Sequence, residues 1–256
     1  FDAIEFDEDL ATIDVAYDLA FLLMDLLHRG MWAPANRIWN RWLEQSLGTH
    51  GDDAAAALLP LFLSMRAAIR AEVGAAKANQ QPGEDDLKIA PRTYLQDALD
   101  YLTPHSGHIL AVGGLSGTGK STLARALAPH LGAAPGATIL RSDAIRKRLA
   151  GVPETDRLPA NGYSKEMSAR VYGTLHRRAG LQAKAARATI ADAVYARATE
   201  RRRIRAVAQR AGVPFNGIWL ELTVAEAKSR VAARRGDVSD ATPEVVDRQA
   251  GFTHAP

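Results

Sequence analysis

The chain contains no cysteine, few aromatic residues and no long apolar run. Without cysteine it can form no disulfide, no thiolate nucleophile and no zinc site of the cysteine type. Apolar stretches such as residues 19–24 are bounded by Asp18 and Asp25 and fall well short of the about 18 residues that a membrane span needs. With 47% hydrophobic and 24% charged residues, the composition excludes collagen and disorder, and we expect a cytoplasmic globular protein with no membrane partner.

Charge is distributed unevenly along the chain. Residues 1–105 carry 8 basic and 17 acidic side chains, whereas residues 106–256 carry 24 basic and 12 acidic ones. A basic half favours polyanionic partners such as nucleotides, and nucleic acid is a possible partner on this ground. Because 25 of the 32 basic residues are arginine in an alanine-rich chain, a compositional bias explains part of the excess equally well.

Helical periodicity dominates the first part of the chain. Apolar residues recur at helical spacing over residues 10–29, around Trp39 and Trp42, and over residues 54–78, where Pro60 predicts a kinked or split helix. A polar segment at residues 79–92 predicts a linker, and a short helix is predicted to follow at 93–102. We therefore expect a helical region at 1–78, a linker with a short helix at 79–105, and a second domain at 106–256. The chain begins at Phe1 rather than methionine, and we expect a fragment of a longer protein.

The second domain alternates between strand-like and helix-like segments. Short apolar runs predict strands at 108–114, 137–142, 188–194 and 216–222, and helical patterns lie at 120–131, 164–185, 197–211, 224–235 and 243–250. Such alternation is typical of an α/β fold with a parallel sheet flanked by helices. The fold class predicted for the whole chain is thus an α/β domain preceded by an all-α region.

The strongest motif lies between the first predicted strand and the helix that follows it. Residues 114–121 fit the pattern G-x-x-x-x-G-K-[ST] in full, and the loop with its next residue comprises Gly114, Leu115, Ser116, Gly117, Thr118, Gly119, Lys120, Ser121 and Thr122. Glycines let backbone N–H groups turn towards a phosphate, and the helix directs its positive end at the same oxygens. Lys120 is expected to neutralise the β and γ phosphates, and Ser121 to bind Mg²⁺. The motif predicts ATP and Mg²⁺ as cofactors.

A second polar cluster follows the next strand. Asp143 and Arg146 lie three residues apart at a predicted helix start, near the carboxyl ends of the strands, where open α/β sheets bind ligands. Asp143 can accept a proton from an acceptor hydroxyl as a general base. Helix capping by Ser142 or Asp143 explains the same residues and stays open, since it is compatible with catalysis. At the end of its own apolar strand, Asp192 can hold Mg²⁺-bound water or simply begin a turn.

The set GGLSGTGKST, RSDAIRKRLAG, IADA and RVAARRGDVSDAT resembles the P-loop kinases that include polynucleotide kinase, zeta-toxin-like kinases and small-molecule kinases of the nucleoside-monophosphate-kinase fold, an AAA-type ATP-binding domain. The resemblance covers about residues 107–250. It implies that Asp143 activates the acceptor, that Arg146 holds the acceptor or its phosphate, and that Arg230 and Arg234 belong to a lid that closes over the triphosphate. It also implies a last strand after the lid, which we expect this chain to lack.

The beginning of the chain, FDAIEFDEDLATIDVAYDLAFLLMDLLHRG, resembles the C-terminal lobe of aminoglycoside phosphotransferase-like enzymes. By this resemblance Asp2 matches a metal-binding aspartate and Asp18 a buried aspartate that braces the catalytic loop. The catalytic loop itself would then precede Phe1, so this part of the chain is not expected to transfer phosphate.

Three functions follow from these patterns. The first is a kinase that transfers the γ-phosphate of ATP to a hydroxyl acceptor, with Lys120, Asp143, Arg146 and Arg234 as its catalytic residues. The second is an ATP-dependent switch or nucleic-acid-binding ATPase, for which the scarcity of aromatic residues among the arginines leaves few stacking platforms for bases. The third is a protein that binds ATP only as a folding ligand. Neither the acceptor nor the oligomeric state can be read from the sequence.

Overall fold

The computed structural model describes residues 14–45, 52–80, 88–154, 156–233 and 238–251, without the side chains of residues 52–54, 160 and 161. Its helices and strands follow in chain order as α1 (Val15–His28), α2 (Trp32–Gln45), α3 (Asp52–Gln80), α4 (Ile89–Tyr101), β1 (His108–Gly114), α5 (Lys120–Leu127), β2 (Thr138–Arg141), α6 (Ser142–Leu149), α7 (Lys165–Lys184), β3 (Ala188–Asp192), α8 (Ala198–Ala211), β4 (Phe215–Leu220), α9 (Val224–Ala232) and α10 (Pro243–Ala250). Short 3₁₀ turns lie at Ala128–His130 and Ala160–Tyr163.

Helices α1 to α4 form the helical region, which has an apolar core of its own. Asp14 caps α1, because its carboxylate accepts a 2.8 Å hydrogen bond from the Ala16 N–H. Leu23, Trp39 and Leu63, from α1, α2 and α3, are fully buried in this core. The helical pattern of the sequence therefore arises from the packing of apolar faces against one another.

Pro60 does not split its helix. Helix α3 runs without interruption from Asp52 to Gln80 with Pro60 inside it, so of the two predicted alternatives, a kinked or a split helix, the split was wrong. Leu59, Leu63 and Ala67 are fully buried around the proline. Proline removes one backbone donor, and the burial of this apolar face outweighs that loss.

The short helix expected after the linker packs onto the helical region. It begins four residues earlier than predicted, as α4 at Ile89, and Tyr94 and Ala98 pack against the helical core. The His28 ring stacks on Tyr94 with 3.7 Å between ring centroids, and its Nδ1 lies 2.6 Å from the Asp97 carboxylate. These contacts join α4 to α1.

The sheet confirms the predicted α/β class. Its four described strands are all parallel, in the order β2-β3-β1-β4. Every residue of β3 is buried, and so are six of the seven in β1, as expected for strands covered on both faces. Helices α7 and α8 pack on one face, with Leu175 and Ile204 in the core, and α5 packs on the other with Ala124.

The parallel arrangement brings the carboxyl ends of the strands to one edge of the sheet. Gly114 of β1, Arg141 of β2 and Asp192 of β3 all lie at this edge, because Arg141 pairs with Asp192 and Val112 pairs with Asp192 in register. After β4 the described residues form helices α9 and α10 and no further strand. No helix in the described part of the chain is both long and apolar enough to cross a bilayer.

Candidate active site

The loop between β1 and α5 has the backbone that its glycines predict. Gly114, Gly117 and Gly119 adopt φ values of +137°, +93° and +95°, which favour glycine. At Gly117 a Cβ atom would also lie 2.5 Å from the Ala227 carbonyl oxygen, so α9 approaches the loop too closely for any side chain there. The loop is thereby folded into a concave turn at the N-terminus of α5.

Two side chains brace this loop from within. The Thr118 hydroxyl donates a 2.9 Å hydrogen bond to the Leu115 carbonyl oxygen, and the Lys120 ammonium donates one of 2.8 Å to the same oxygen. The Lys120 charge is therefore held across the loop, next to the backbone N–H groups of the first turn of α5. This combination of an ammonium and a helix N-terminus attracts phosphate.

The last described helix contributes an unexpected contact to the loop. The Ser116 N–H donates a 2.9 Å hydrogen bond to the side-chain oxygen of Gln249, in α10. Helix α10 is held in turn against α9 by a 2.7 Å ion pair between Lys228 and Asp247. No sequence pattern pointed to Gln249.

Ser121 and Asp192 meet beside the loop. The Ser121 hydroxyl donates a 2.5 Å hydrogen bond to the Asp192 carboxylate, which is buried, and Arg141 Nε lies 3.9 Å from the same oxygen. Burial raises the pKa of Asp192, and the nearby Asp143 charge adds to the rise, while Lys120, the Ser121 hydrogen bond and Arg141 act in the opposite direction.

These oxygens suit Mg²⁺. A hydroxyl and a carboxylate are hard oxygen donors, and Mg²⁺ is usually held by one or two protein ligands together with substrate phosphates. The described residues contain no cluster of three or more His, Cys, Asp or Glu side chains that could hold a metal by themselves. Ser121 and Asp192 therefore fit a metal that arrives with a nucleotide.

Asp143 lines a cleft together with residues of the loop and of the strand ends. Lys120, Ser121, Asp143 and Asp192 all line it. The N-cap of α6 is Arg141, and it has no side-chain capping bond, so neither Ser142 nor Asp143 caps this helix. Asp143 lies in the first turn of α6, close enough to Asp192 for its negative charge to act on that carboxylate.

The remaining predicted residues are spread over several places. Ser116, Gly117 and Thr122 line the cleft, and Arg230 is exposed in the last turn of α9. Arg234 and Asp2 lie outside the described residues. The Asp18 side chain is 44% exposed and 4.0 Å from Arg66 Nη2, so the expectation of a buried aspartate was wrong.

Arg146 is buried on another side of α6. Its Nη1 donates hydrogen bonds to the Gly162 carbonyl oxygen at 2.9 Å and to the Ser168 hydroxyl at 3.3 Å, and its guanidinium lies 5.2 Å from the Tyr163 ring centroid. Arg146 is not among the described residues that line the cleft. It holds the segment before α7.

A buried ion pair lies behind α6. Lys147 Nζ is 2.9 Å from the Asp240 carboxylate and donates a 2.7 Å hydrogen bond to the Glu154 carbonyl oxygen. Asp240 also accepts hydrogen bonds from the Leu158 N–H at 2.9 Å and the Tyr163 hydroxyl at 3.2 Å. Burial acts to raise the pKa of Asp240, but these hydrogen bonds and the Lys147 charge outweigh it and hold that pKa below its usual value.

Sequence reasoning missed this pair, and it also missed Arg125, Arg141, Val194 and Ser239 in the lining of the cleft. For Arg141 a signal was present, because it lies near the end of the strand predicted at 137–142 and is the last residue of β2. Ser239 and Asp240 lie within the segment RVAARRGDVSDAT, in which the resemblance assigned roles only to arginines.

The parallel sheet and the glycine loop at the N-terminus of α5 define a P-loop nucleotide-binding fold. Residues 109–256, more than half of the chain, match the AAA domain family, and the chain belongs to that family.

Relatives share parts of this chain. Uncharacterized proteins of Mycobacterium tuberculosis and Mycobacterium bovis are 32% identical over 252 residues, which is 95% of this chain and 48% of theirs. The chain thus spans about half the length of these curated relatives. The adenylyl-sulfate kinase of Myxococcus xanthus is 36% identical over 119 residues, 45% of this chain and 58% of that protein. A crystal structure of a gluconokinase from Sinorhizobium meliloti 1021 aligns with a TM-score of 0.40 and 19% identity, covering 60% of this chain and 77% of that one.

Proposed function

We propose that this chain is an ATP- and Mg²⁺-dependent phosphotransferase that moves the γ-phosphoryl group to a hydroxyl acceptor. One observation carries the proposal: Asp143 lines the same cleft as Lys120, Ser121 and Asp192. A nucleotide-binding switch needs the loop and the metal ligands, but it does not need a carboxylate placed where an acceptor would lie. The name of the Myxococcus xanthus relative, adenylyl-sulfate kinase, supports transfer over simple binding.

The loop holds the phosphates. Backbone N–H groups at the start of α5 donate hydrogen bonds to phosphate oxygens, and Lys120 exchanges its bond to the Leu115 carbonyl oxygen for one to phosphate. Ser121, with Asp192 beside it, would hold Mg²⁺, and the chemistry that the metal would supply when bound is positive charge for the phosphates. In this arrangement positioning and charge stabilisation provide most of the rate enhancement.

Asp143 acts on the acceptor. Its carboxylate takes the proton of the acceptor hydroxyl while the hydroxyl oxygen bonds to the γ phosphorus and the bond from that phosphorus to the β–γ bridging oxygen breaks. The products are ADP and a phosphate ester. Arg146 holds the loop at 160–163 next to the acceptor through its bond to the Gly162 carbonyl oxygen.

The end of α9 supplies the lid. Arg230 is exposed in its last turn, and Arg234 follows four residues later in the sequence. Closure of this segment brings both guanidinium groups to the phosphates, stabilises the charge of the transition state and excludes water.

The experiment is transfer of label from γ-labelled ATP to a panel of hydroxyl compounds that includes a 5′-hydroxyl oligonucleotide. It compares the wild-type protein with Lys120→Ala, Asp143→Asn and the control Asp100→Asn, whose carboxylate is exposed on α4. Asp143→Asn is expected to lower kcat by about 10²- to 10⁴-fold with the Kd for ATP nearly unchanged. Lys120→Ala is expected to weaken ATP binding, and Asp100→Asn to match wild type.

Two results would count against the proposal. Full activity in Asp143→Asn removes the base assignment. If ATP binds, no acceptor is labelled, and nucleic acid binds with an affinity that falls steeply as salt rises, the chain is instead a nucleic-acid-binding ATPase or switch.

A further inference from the structure

Strand β2 lies at an edge of the sheet, where half of its backbone groups face away from β3. Unpaired backbone groups at a buried edge are costly and need partners. Here the partners come from the helical region. Asn36 and Asn40 lie one turn apart on α2, and both are buried against this edge.

Asn40 satisfies both kinds of backbone group. Its Oδ1 accepts a 2.6 Å hydrogen bond from the Ile139 N–H, and its Nδ2 donates one of 3.1 Å to the Ala137 carbonyl oxygen. The N–H of one residue and the carbonyl two residues earlier are what an edge strand presents to a neighbouring strand. The carboxamide of Asn40 offers both an acceptor and a donor. It therefore satisfies the backbone groups that a fifth strand would otherwise pair with at this edge.

Asn36 shares one of these two bonds with Asn40 and lacks the other. Its Nδ2 donates a 3.0 Å hydrogen bond to the Ala137 carbonyl oxygen, and its Oδ1 accepts one of 3.1 Å from Asn40 Nδ2. Neither bond reaches the Ile139 N–H. Gly136 lets the chain approach closely, because a Cβ there would lie 2.9 Å from Asn36 Nδ2.

The contact lies close to the proposed base. Asp143 follows Ile139 by four residues, and α6 begins directly after β2 without an intervening loop. Strand β2 has only four residues and pairs with a single described strand, so the position of its end depends on both of its edges. Displacement of β2 would therefore move the first turn of α6.

A second contact of α2 reaches the other end of α6. Arg41 Nη1 lies 2.7 Å from the Glu154 carboxylate, and the backbone of Glu154 accepts the hydrogen bond from Lys147. Both charged side chains are partly exposed, so this ion pair adds little stability. It nevertheless places α2 beside both ends of the helix that carries Asp143.

We infer that Asn40 is a positioning residue for Asp143, and that the helical region is a working part of the acceptor side of the cleft. The placement of residues 139–143 follows from the contacts alone, whereas its effect on phosphoryl transfer rests on the proposed function. The P-loop lies between β1 and α5. Among the described residues, the side-chain bonds from Asn40 reach the edge of β2 and not these two elements. Loss of Asn40 should therefore affect turnover more than ATP binding.

The test compares Asn40→Leu with Asn36→Leu in the whole chain. The two substitutions have the same chemistry, but Asn36→Leu leaves both the Ile139 N–H and the Ala137 carbonyl oxygen bonded to Asn40. For Asn40→Leu we expect amide exchange at 139–143 to become about tenfold faster, because a buried N–H loses its partner. We expect kcat to fall about tenfold or more through misplacement of the base, while the Kd for ATP changes less than about twofold. Asn36→Leu is expected to show smaller changes in exchange and in kcat.

Each other outcome has a defined meaning. Unchanged exchange at 139–143 in Asn40→Leu overturns the inference, and so does a loss of ATP affinity as large as the loss of kcat. If Asn40→Leu does not fold, Asn40→Ala takes its place with Asn36→Ala as control, because it also removes the acceptor of the Ile139 N–H but adds no bulk, and it must still speed exchange in this segment. If wild type phosphorylates no acceptor, the proposed function fails, and exchange at 139–143 still decides whether Asn40 positions the segment.

Discussion

The hydroxyl of Ser121 and the carboxylate of Asp192 are 2.5 Å apart, although they come from the start of α5 and the end of β3. This contact joins the phosphate loop to the strand next to it in the sheet. Because both groups are oxygen donors beside the glycine loop, they are the side chains proposed above to hold Mg²⁺ next to the nucleotide.

Ser121→Ala is expected to remove the benefit of Mg²⁺ for ATP binding. The variant keeps the loop and Lys120 but lacks the hydroxyl ligand, so its Kd for ATP should be about the same in Mg²⁺ as in EDTA. Calorimetric titration in both buffers measures the difference. Ser121→Thr retains a hydroxyl and should behave as wild type; an equal Mg²⁺ benefit in the alanine variant would contradict the ligand assignment.

Gln249→Glu is expected to weaken ATP binding. The side-chain oxygen at this position accepts the Ser116 N–H bond, and a carboxylate there would repel phosphate at the loop. At a surface cleft the expected loss is about five- to tenfold in Kd at low salt, and it should shrink as ionic strength rises. Gln249→Ala serves as the control that removes the contact without adding charge. A loss in Gln249→Glu that is independent of salt would argue against repulsion.

Lys147→Met is expected to destabilise the protein by about 3 kcal/mol or more, because it leaves the Asp240 carboxylate without its cation. Urea unfolding measures the free energy. The double variant Lys147→Met with Asp240→Asn should recover part of the loss, since it buries no unpaired charge. If the losses of the two single variants simply add in the double variant, Lys147 and Asp240 do not stabilise each other.

Acid should destabilise the protein through His176. Burial lowers the pKa of His176 to about 4, and the positive charges of Arg203 and Arg210 add to this effect. The folded state therefore favours the neutral ring, so this contribution to stability is complete above the ordinary pKa of about 6.5 and is lost as the pH falls towards 4.

His176→Phe should remove this part of the acid sensitivity, so that the free energy of unfolding falls less between pH 7 and pH 4. Urea titrations at several pH values measure it. His176→Gln is the control, because it is also neutral but stays polar. A variant profile parallel to that of wild type would show that His176 does not contribute.

The parts of the candidate site whose place in the fold could be predicted are those that the sequence encodes locally. The loop from Gly114 to Ser121 combines a strand end, glycines and a helix start within eight residues. Asp143 and Asp192 were found because they follow apolar strands, and parallel strands end at one edge. The structure brings both to the cleft of Lys120.

Contacts between distant parts of the chain were not predicted. Ser116 and Gln249 are 133 residues apart, and Asn40 and Ile139 are 99 residues apart. Side chains such as glutamine and asparagine also occur on any exposed helix, so their type carries no signal. Arg146 shows the related limit: its spacing from Asp143 suggested a shared face, but its guanidinium is directed to Gly162 because the segment before α7 packs there.

Helix α2 also gives the molecule an optical probe. The chain has four tryptophans, and Trp32, Trp39 and Trp42 all lie on α2, with the rings of Trp39 and Trp42 stacked at 5.4 Å. The fourth, Trp219, lies in β4 near Arg201. In a Trp219→Phe background all indole emission comes from the helix that braces β2. Stopped-flow fluorescence would then report, without any added dye, whether this contact changes when nucleotide binds.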